Sequence, residues 1–195
     1  MTMHPNITAI ILAGGQGKRF EGKDKGLIEF ENTPLVEHLI NTFSPQVKHL
    51  IISANRNLDK YQCYGYPVVS DAAPLYQGPM AGIVAGLNAT KTDYAFIAAC
   101  DMPALPANII QRLYEALENT SSDLALAHDG VRAQPLCMLL KRELHHSLQQ
   151  SIEKNELKVI RWIEQQSHSL VDCSDIQNCF KNINTKNELD ELCKK

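Results

Sequence analysis

The chain predicts an α/β fold, a three-layer sandwich built on a mostly parallel sheet, and three observations carry that expectation. Short continuous apolar runs end in glycine or aspartate, as strands buried on both faces do. Between them lie segments whose apolar residues recur at helical spacing. The chain is 195 residues long, 44% hydrophobic and 21% charged, a composition that excludes disorder, collagen and coiled coil and a length that fits one domain.

The elements follow in order. Ile7–Ala13 is an apolar run closed by Gly14-Gly15 and reads as the first buried strand. A polar loop runs to about Gly26. Thr33-Pro34 reads as an N-cap with proline at the first helical position, and Leu35, Val36, Leu39, Ile40 and Phe43 form one face of a helix over Pro34–Phe43. His49–Ala54 and Pro67–Ser70 are strands, Pro79–Ala89 a helix opening after Gly78, and Tyr94–Cys100 a further buried strand. Pro106–Glu118 is amphipathic, with Ile109, Ile110, Leu113 and Leu117 on one face. Asp123–His128 and Leu136–Leu140 read as strands, and Arg142–Ser151 and Glu156–Gln165 as helices. Ser169–Asp172 and Phe180–Ile183 are expected to be extended. Thr185 with Glu188 forms a capping box for a last helix, Lys186–Cys193. Alternating strands and helices argue right-handed crossovers on an open sheet, with the late strands in a more mixed arrangement.

The net charge of −3 argues against non-specific nucleic-acid binding and against a membrane surface. The N-terminus MTMHPN lacks a basic leader region, and Ile7–Ala13 is too short to span a bilayer. The six cysteines form no C-x-x-C pair, which excludes zinc-ribbon and dithiol readings and fits free thiols in a reducing cytoplasm. The seven histidines show no metal-binding spacing and are assigned structural roles.

In open α/β sheets ligands sit beyond the carboxyl ends of the strands, which selects three loops. The first is Leu12-Ala13-Gly14-Gly15-Gln16-Gly17-Lys18-Arg19, continuing to Lys23-Asp24-Lys25-Gly26. It is not a P-loop, because Gly17-Lys18 is followed by Arg19 and position 12 is leucine. It is not a dinucleotide fingerprint either, because position 20 is phenylalanine. A glycine turn with Lys18, Arg19, Lys23 and Lys25 fits phosphate binding, since glycines admit backbone N–H groups close to an anion and the cations neutralise it. The second loop carries Asp71 and Gly78-Pro79-Met80-Ala81-Gly82, a helix N-terminus flanked by glycines. Asp71 is a turn residue or a ligand contact. As a contact it would accept from a ribose hydroxyl or from the N1–H and N2–H₂ pair of guanine. The third is Cys100-Asp101-Met102-Pro103, a carboxylate ending a buried strand, suited to holding Mg²⁺ together with substrate phosphates.

Taken together, Leu12-Ala13-Gly14-Gly15 with Arg19 and Asp24-Lys25-Gly26, Gly78-Pro79-x-Ala81-Gly82, Cys100-Asp101-Met102-Pro103, Arg132-x-x-Pro135 and Asn182-Ile183-Asn184-Thr185 resemble the molybdenum cofactor guanylyltransferases. These belong to the wider nucleotidyltransferases that begin with LAGG. The resemblance implies one Rossmann-like nucleotidyltransferase domain over residues 1–195, with a nucleotide-binding half (about 1–103) and an acceptor-binding half (about 104–195). It implies transfer of GMP from GTP, with Mg²⁺, to the terminal phosphate of molybdenum-molybdopterin, releasing pyrophosphate, in a protein that meets molybdoenzyme-maturation proteins. Carried over by position, Leu12, Ala13, Gly14, Gly15, Asn55, Asp71 and Gly82 contact the nucleotide. Arg19 and Lys25 face its phosphates and Asp101 binds the metal. Arg132, on a loop after the Asp129-Gly130 turn, and Asn182 or Asn184, flanking Ile183 on an extended segment, are read from the residues themselves as acceptor contacts, the alternative being a strand end and the Thr185 cap. Phe20-Glu21 departs from the Met-Gly of the wider family, and Ser53 stands where the family has asparagine, leaving Ser53 and Asn55 as alternatives. A cytidylyltransferase on molybdopterin, a sugar-phosphate nucleotidyltransferase and a non-catalytic cofactor-binding adaptor are the competing readings.

No nucleophilic side chain is required for such a transfer. An acceptor phosphate is largely ionised near neutral pH, its second pKa being about 6. Alignment with the α-phosphorus and neutralisation of the leaving pyrophosphate then suffice.

Overall fold

In the computed structural model, residues 4–14, 24–71 and 78–183 are described. The N-terminal apolar run becomes β1 (His4–Leu12) at the centre of a seven-stranded sheet. Its neighbours are β4 (Val47–Ser53) and β6 (Tyr94–Ala99), both parallel to it, with β5 (Val68–Val69) parallel to β4 on the outside. On the other side of β6 the sheet continues through β8 (Ala133–Lys141), β7 (Leu124–His128) and β9 (His168–Asp172), giving the order β5-β4-β1-β6-β8-β7-β9. β8 runs antiparallel to both β6 and β7, whereas β9 is parallel to β7. The expected mostly parallel sheet with mixed late strands is what forms.

The alternation along the strands sorts the core into two layers. Ile7, Ala9, Ile11 and Ala13 of the β1 run face one side, where α1 (Leu35–Phe43) and α4 (Ile109–Thr120) pack. Ile10 and Leu12 face the other, against α3 (Pro79–Ala89), α5 (His145–Glu153) and α6 (Val159–Glu164). Burial on both faces is why the strand sequence is continuously apolar rather than alternating. The helical stripe Leu35, Val36, Leu39, Ile40 and Phe43 is buried, and Phe43 meets Phe96 edge-on at 4.9 Å between ring centroids. Each such side chain contributes about 1.5–3 kcal/mol of burial.

Several local expectations give way to tertiary structure. Thr33 is not an N-cap. Thr33–Pro34 forms β3 and pairs antiparallel with β2 (Glu29–Phe30), around Glu31 and Asn32 at φ 50° and 60°, the left-handed pair that a tight hairpin turn uses. The cap position falls to Pro34. Phe180–Ile183 is not a strand. A 3₁₀ segment covers Ser174–Phe180, anchored where Arg112 donates to both carboxylate oxygens of Asp175, and Lys181–Ile183 has no regular structure. A short helix, α2 (Leu58–Gln62), appears where none was read. The last expected helix, Lys186–Cys193, lies outside the described residues, and among the described residues no helix is long and apolar enough to cross a membrane.

Candidate active site

β1, β4 and β6 end at one edge of the sheet, and their ends are stitched together. The Ser53 carbonyl accepts from the N–H groups of both Ala13 and Gly14, at 2.8 and 3.1 Å, and the Cys100 N–H donates to the Leu12 carbonyl at 3.0 Å. The stitching fixes the path of the glycine turn and also spends two of its amides. Ala13 is 1% exposed and its side chain packs in the core rather than on the cleft wall formed by the described residues. Gly14, Leu12 and Ser53 do line a cleft of about 230 Å³ at this edge, together with Lys25, Asp101 and Asp71. Gly15 and Arg19 lie outside the described residues.

The floor of the cleft is an ion pair. Lys25 Nζ donates to Asp101 Oδ2 at 2.9 Å, with the two side chains 20% and 18% exposed. Asp101 stands one residue beyond the end of β6, after Cys100, and Lys25 opens a 3₁₀ turn, Lys25–Leu27. The other carboxylate oxygen, Asp101 Oδ1, is buried and has no hydrogen-bond partner among the described residues. A buried, unpaired carboxylate oxygen is costly, and it marks a group built to receive something. One carboxylate facing a phosphate-sized space fits Mg²⁺, which takes one or two carboxylates and completes its shell with phosphate oxygens and water. No cluster of three or more metal-ligating side chains exists among the described residues, so a zinc-type or all-protein cage is not what these residues form.

The opposite wall is the start of α3. Pro79 occupies its first turn and Gly78 precedes it at φ 69°. Gly82 lets the helix press onto β4: a Cβ there would stand 2.8 Å from Ser53 Oγ. Ser53 therefore sits beneath Gly82, while Asn55, also on the cleft wall, accepts the Asp71 N–H on its Oδ1 at 3.1 Å. Asn55 thus sets where the Asp71 backbone enters the site. Cys100 also lines the cleft, but burial, with the neighbouring Asp101 charge, pushes its thiol well above the usual range. It is a neutral wall rather than a nucleophile.

The residues expected on the acceptor side are partly gathered. The Ile183 N–H donates to the Asp101 carbonyl at 2.9 Å, which brings half-buried Asn182 beside the metal-binding candidate. Ile183 itself is fully buried with Phe30 and Leu35. Asn184 lies outside the described residues. Arg132 sits in the β7–β8 hairpin at the same edge of the sheet but does not line the cleft. Its side chain is 69% exposed, 4.0 Å from Asp129.

Sequence reasoning missed the support beneath Lys25. Asp24 accepts from the Tyr61 hydroxyl at 2.7 Å and from Asn57 Nδ2 at 3.0 Å. Both donors come from α2 and its cap, a helix too short for periodicity to reveal. The available signal was a tyrosine in a polar stretch, and that is weak.

Residues 9–170 match the model of the MobA-like NTP transferase domain. The chain is 39% identical over 190 residues to a protein of Shewanella loihica named molybdenum cofactor guanylyltransferase, and 40% identical to one of the same name from Shewanella sediminis, covering 97% of each chain in both cases. Its fold superposes on the crystal structure of molybdopterin-guanine dinucleotide biosynthesis protein A from Archaeoglobus fulgidus with a TM-score of 0.77 at 21% identity, covering 96% of this chain and 98% of that one. The chain belongs to the MobA-like NTP transferase family, among the molybdenum cofactor guanylyltransferases.

Proposed function

We propose that the chain transfers GMP from GTP to the terminal phosphate of molybdenum-molybdopterin, forming the guanine dinucleotide cofactor and pyrophosphate. The observation that carries this reading is the Lys25–Asp101 pair at the cleft floor, with Asp101 Oδ1 buried and without a hydrogen-bond partner among the described residues. The names of the relatives support the choice of guanine and of the molybdopterin acceptor.

In this reading Lys25 and Arg19 face the triphosphate and offset the charge that develops on the leaving pyrophosphate. Leu12, Gly14, Gly15 and Gly82 shape the nucleotide wall, and Asn55 fixes Asp71 so that its carboxylate accepts from the guanosine. Asp101 would hold Mg²⁺, which when bound supplies charge neutralisation on the phosphates. Arg132, Asn182 and Asn184 face the acceptor, so that the half up to about residue 103 binds nucleotide and the remainder binds molybdopterin. The nucleophile is the acceptor phosphate itself, and the chain contributes alignment and charge.

Pyrophosphate release tests the reading directly. Protein, Mg²⁺ and molybdenum-molybdopterin are mixed with GTP, CTP or ATP in turn. Release with GTP well above the other two is expected. Release favouring CTP, or nucleotide binding with no release, would contradict it.

A further inference from the structure

Lys25 is reached by a loop, and a loop lysine left to itself samples many rotamers. Here the residue before it is held twice. Asp24 Oδ1 accepts from Tyr61 and Asp24 Oδ2 from Asn57, so both carboxylate oxygens are engaged on the side facing away from the cleft. Tyr61 is 0% exposed, and its ring belongs to the same core layer as α1 and α4. Burial first, and then the hydrogen bond to Asp24, push the phenol well above its ordinary value. The hydroxyl is therefore a donor throughout the working pH range. Asn57 stands in the left-handed region at φ 49°, a conformation asparagine tolerates better than most residues.

The residue after Lys25 is pressed on the same hydroxyl. A Cβ at Gly26 would lie 2.5 Å from Tyr61 Oη and 3.1 Å from Ala13 Cβ, so the turn fits only with glycine there. Lys25 thus stands between two residues that both register on Tyr61, and its ammonium emerges at 2.9 Å from Asp101.

We propose that Tyr61 is a positioning residue: through Asp24, with Asn57 as second donor and Gly26 as the contact, the buried hydroxyl sets the Lys25 ammonium against Asp101 for work on the triphosphate. This rests on the reading that Lys25 acts on the nucleotide phosphates. Tyr61 touches neither substrate nor metal in this role. A hydroxyl about twelve bonds away from the Lys25 ammonium acts by fixing a backbone, and misplacement of about 1 Å can cost up to about a hundredfold in rate.

The test compares Tyr61→Phe, Lys25→Met and the double variant, reading kcat and KM for GTP by pyrophosphate release in the presence of Mg²⁺ and acceptor. Tyr61→Phe keeps the ring in the core and removes only the donor. It should lower kcat about ten- to a hundredfold with KM for GTP within about twofold, and add little in the Lys25→Met background. Wild-type turnover in Tyr61→Phe, with Lys25→Met impaired, would overturn the positioning role and leave the phosphate reading standing. The same fold loss in both backgrounds would overturn it too, since the tyrosine would then act by another route. Full activity in Lys25→Met would remove the phosphate reading and this inference with it. Should Tyr61→Phe fail to fold, Asn57→Gly replaces it, keeping the left-handed backbone while deleting the second donor. A smaller kcat loss that vanishes without Lys25 supports the clamp, and an undiminished kcat overturns it.

Discussion

Two aspartates stand just beyond buried strands at the same edge of the sheet and meet opposite fates. Asp101, after β6, accepts from Lys25 on one oxygen at 2.9 Å and keeps the other buried with no partner among the described residues. Asp129, after β7, has both oxygens engaged. Its Oδ1 accepts the N–H groups of Val131 and Arg132, both at 2.8 Å, and its Oδ2 accepts Gln134 Nε2 at 2.6 Å. Burial alone would push the Asp129 carboxyl up, but those hydrogen bonds prevail and hold it below its ordinary value. A carboxylate whose two oxygens are both hydrogen-bonded inside the fold shapes a hairpin. One that keeps a desolvated oxygen free of internal partners is prepared for a ligand. Position at a strand end is common to both, so position alone does not separate a structural aspartate from a working one.

The difference can be broken by substitution. Asp101→Ala should lower GMP transfer by about a hundredfold or more, the scale of losing an electrostatic group that acts on the transition state, with a melting temperature within about 5 °C of wild type. Turnover near wild type at limiting Mg²⁺ would place Asp101 with the structural aspartates. Asp129→Ala should do the reverse. Removing its acceptors leaves backbone N–H groups and Gln134 short of partners, for a loss of about 1–3 kcal/mol, read as a lower denaturant midpoint, while kcat falls far less than in Asp101→Ala. Stability unchanged in Asp129→Ala would deny the hairpin staple.

The pH dependence carries the same contrast. Because the folded Asp129 pKa is depressed, its contribution is present above the unfolded value of about 3.9 and is lost as pH falls through the folded one. An acid-unfolding titration should therefore show a shallower loss of stability in Asp129→Asn than in wild type. A parallel acid limb in both proteins would contradict the hydrogen-bond account.

A smaller effect is expected at Arg132, which Asp129 presents but hardly pairs, at 4.0 Å and 69% exposed. Arg132→Ala should weaken molybdopterin binding severalfold and leave GTP affinity within about twofold, a few tenths of a kcal/mol. Titration calorimetry with each substrate separates the two. Loss of GTP binding alone would place Arg132 on the nucleotide side.

The sequence made Asp101 legible because a six-residue strand, Tyr94–Ala99, buried at five of its positions, ends just before it, and period and punctuation are local signals. β1 and the stripe of α1 were legible for the same reason. The order of β8 between β6 and β7 was not, since strand pairing is non-local and β8 arrives there through a hairpin whose turn chemistry is spread over Asp129, Gly130 and Gln134. Thr33 carried a valid cap signal that lost to a competing hairpin with Phe30. Tyr61 and Asn57 left no readable pattern at all: a five-residue helix has too few turns to show a face, and the partner that gives them meaning, Asp24, lies more than thirty positions earlier.

The most direct test of the contrast is the Mg²⁺ dependence of GMP transfer in wild type, Asp101→Asn and Asp129→Asn. Asparagine keeps the volume and a carbonyl acceptor while removing the charge that holds a divalent cation. The Mg²⁺ concentration for half-maximal transfer should rise about tenfold or more in Asp101→Asn, about 1.4 kcal/mol, and stay at the wild-type value in Asp129→Asn. An unshifted midpoint in Asp101→Asn would contradict the account.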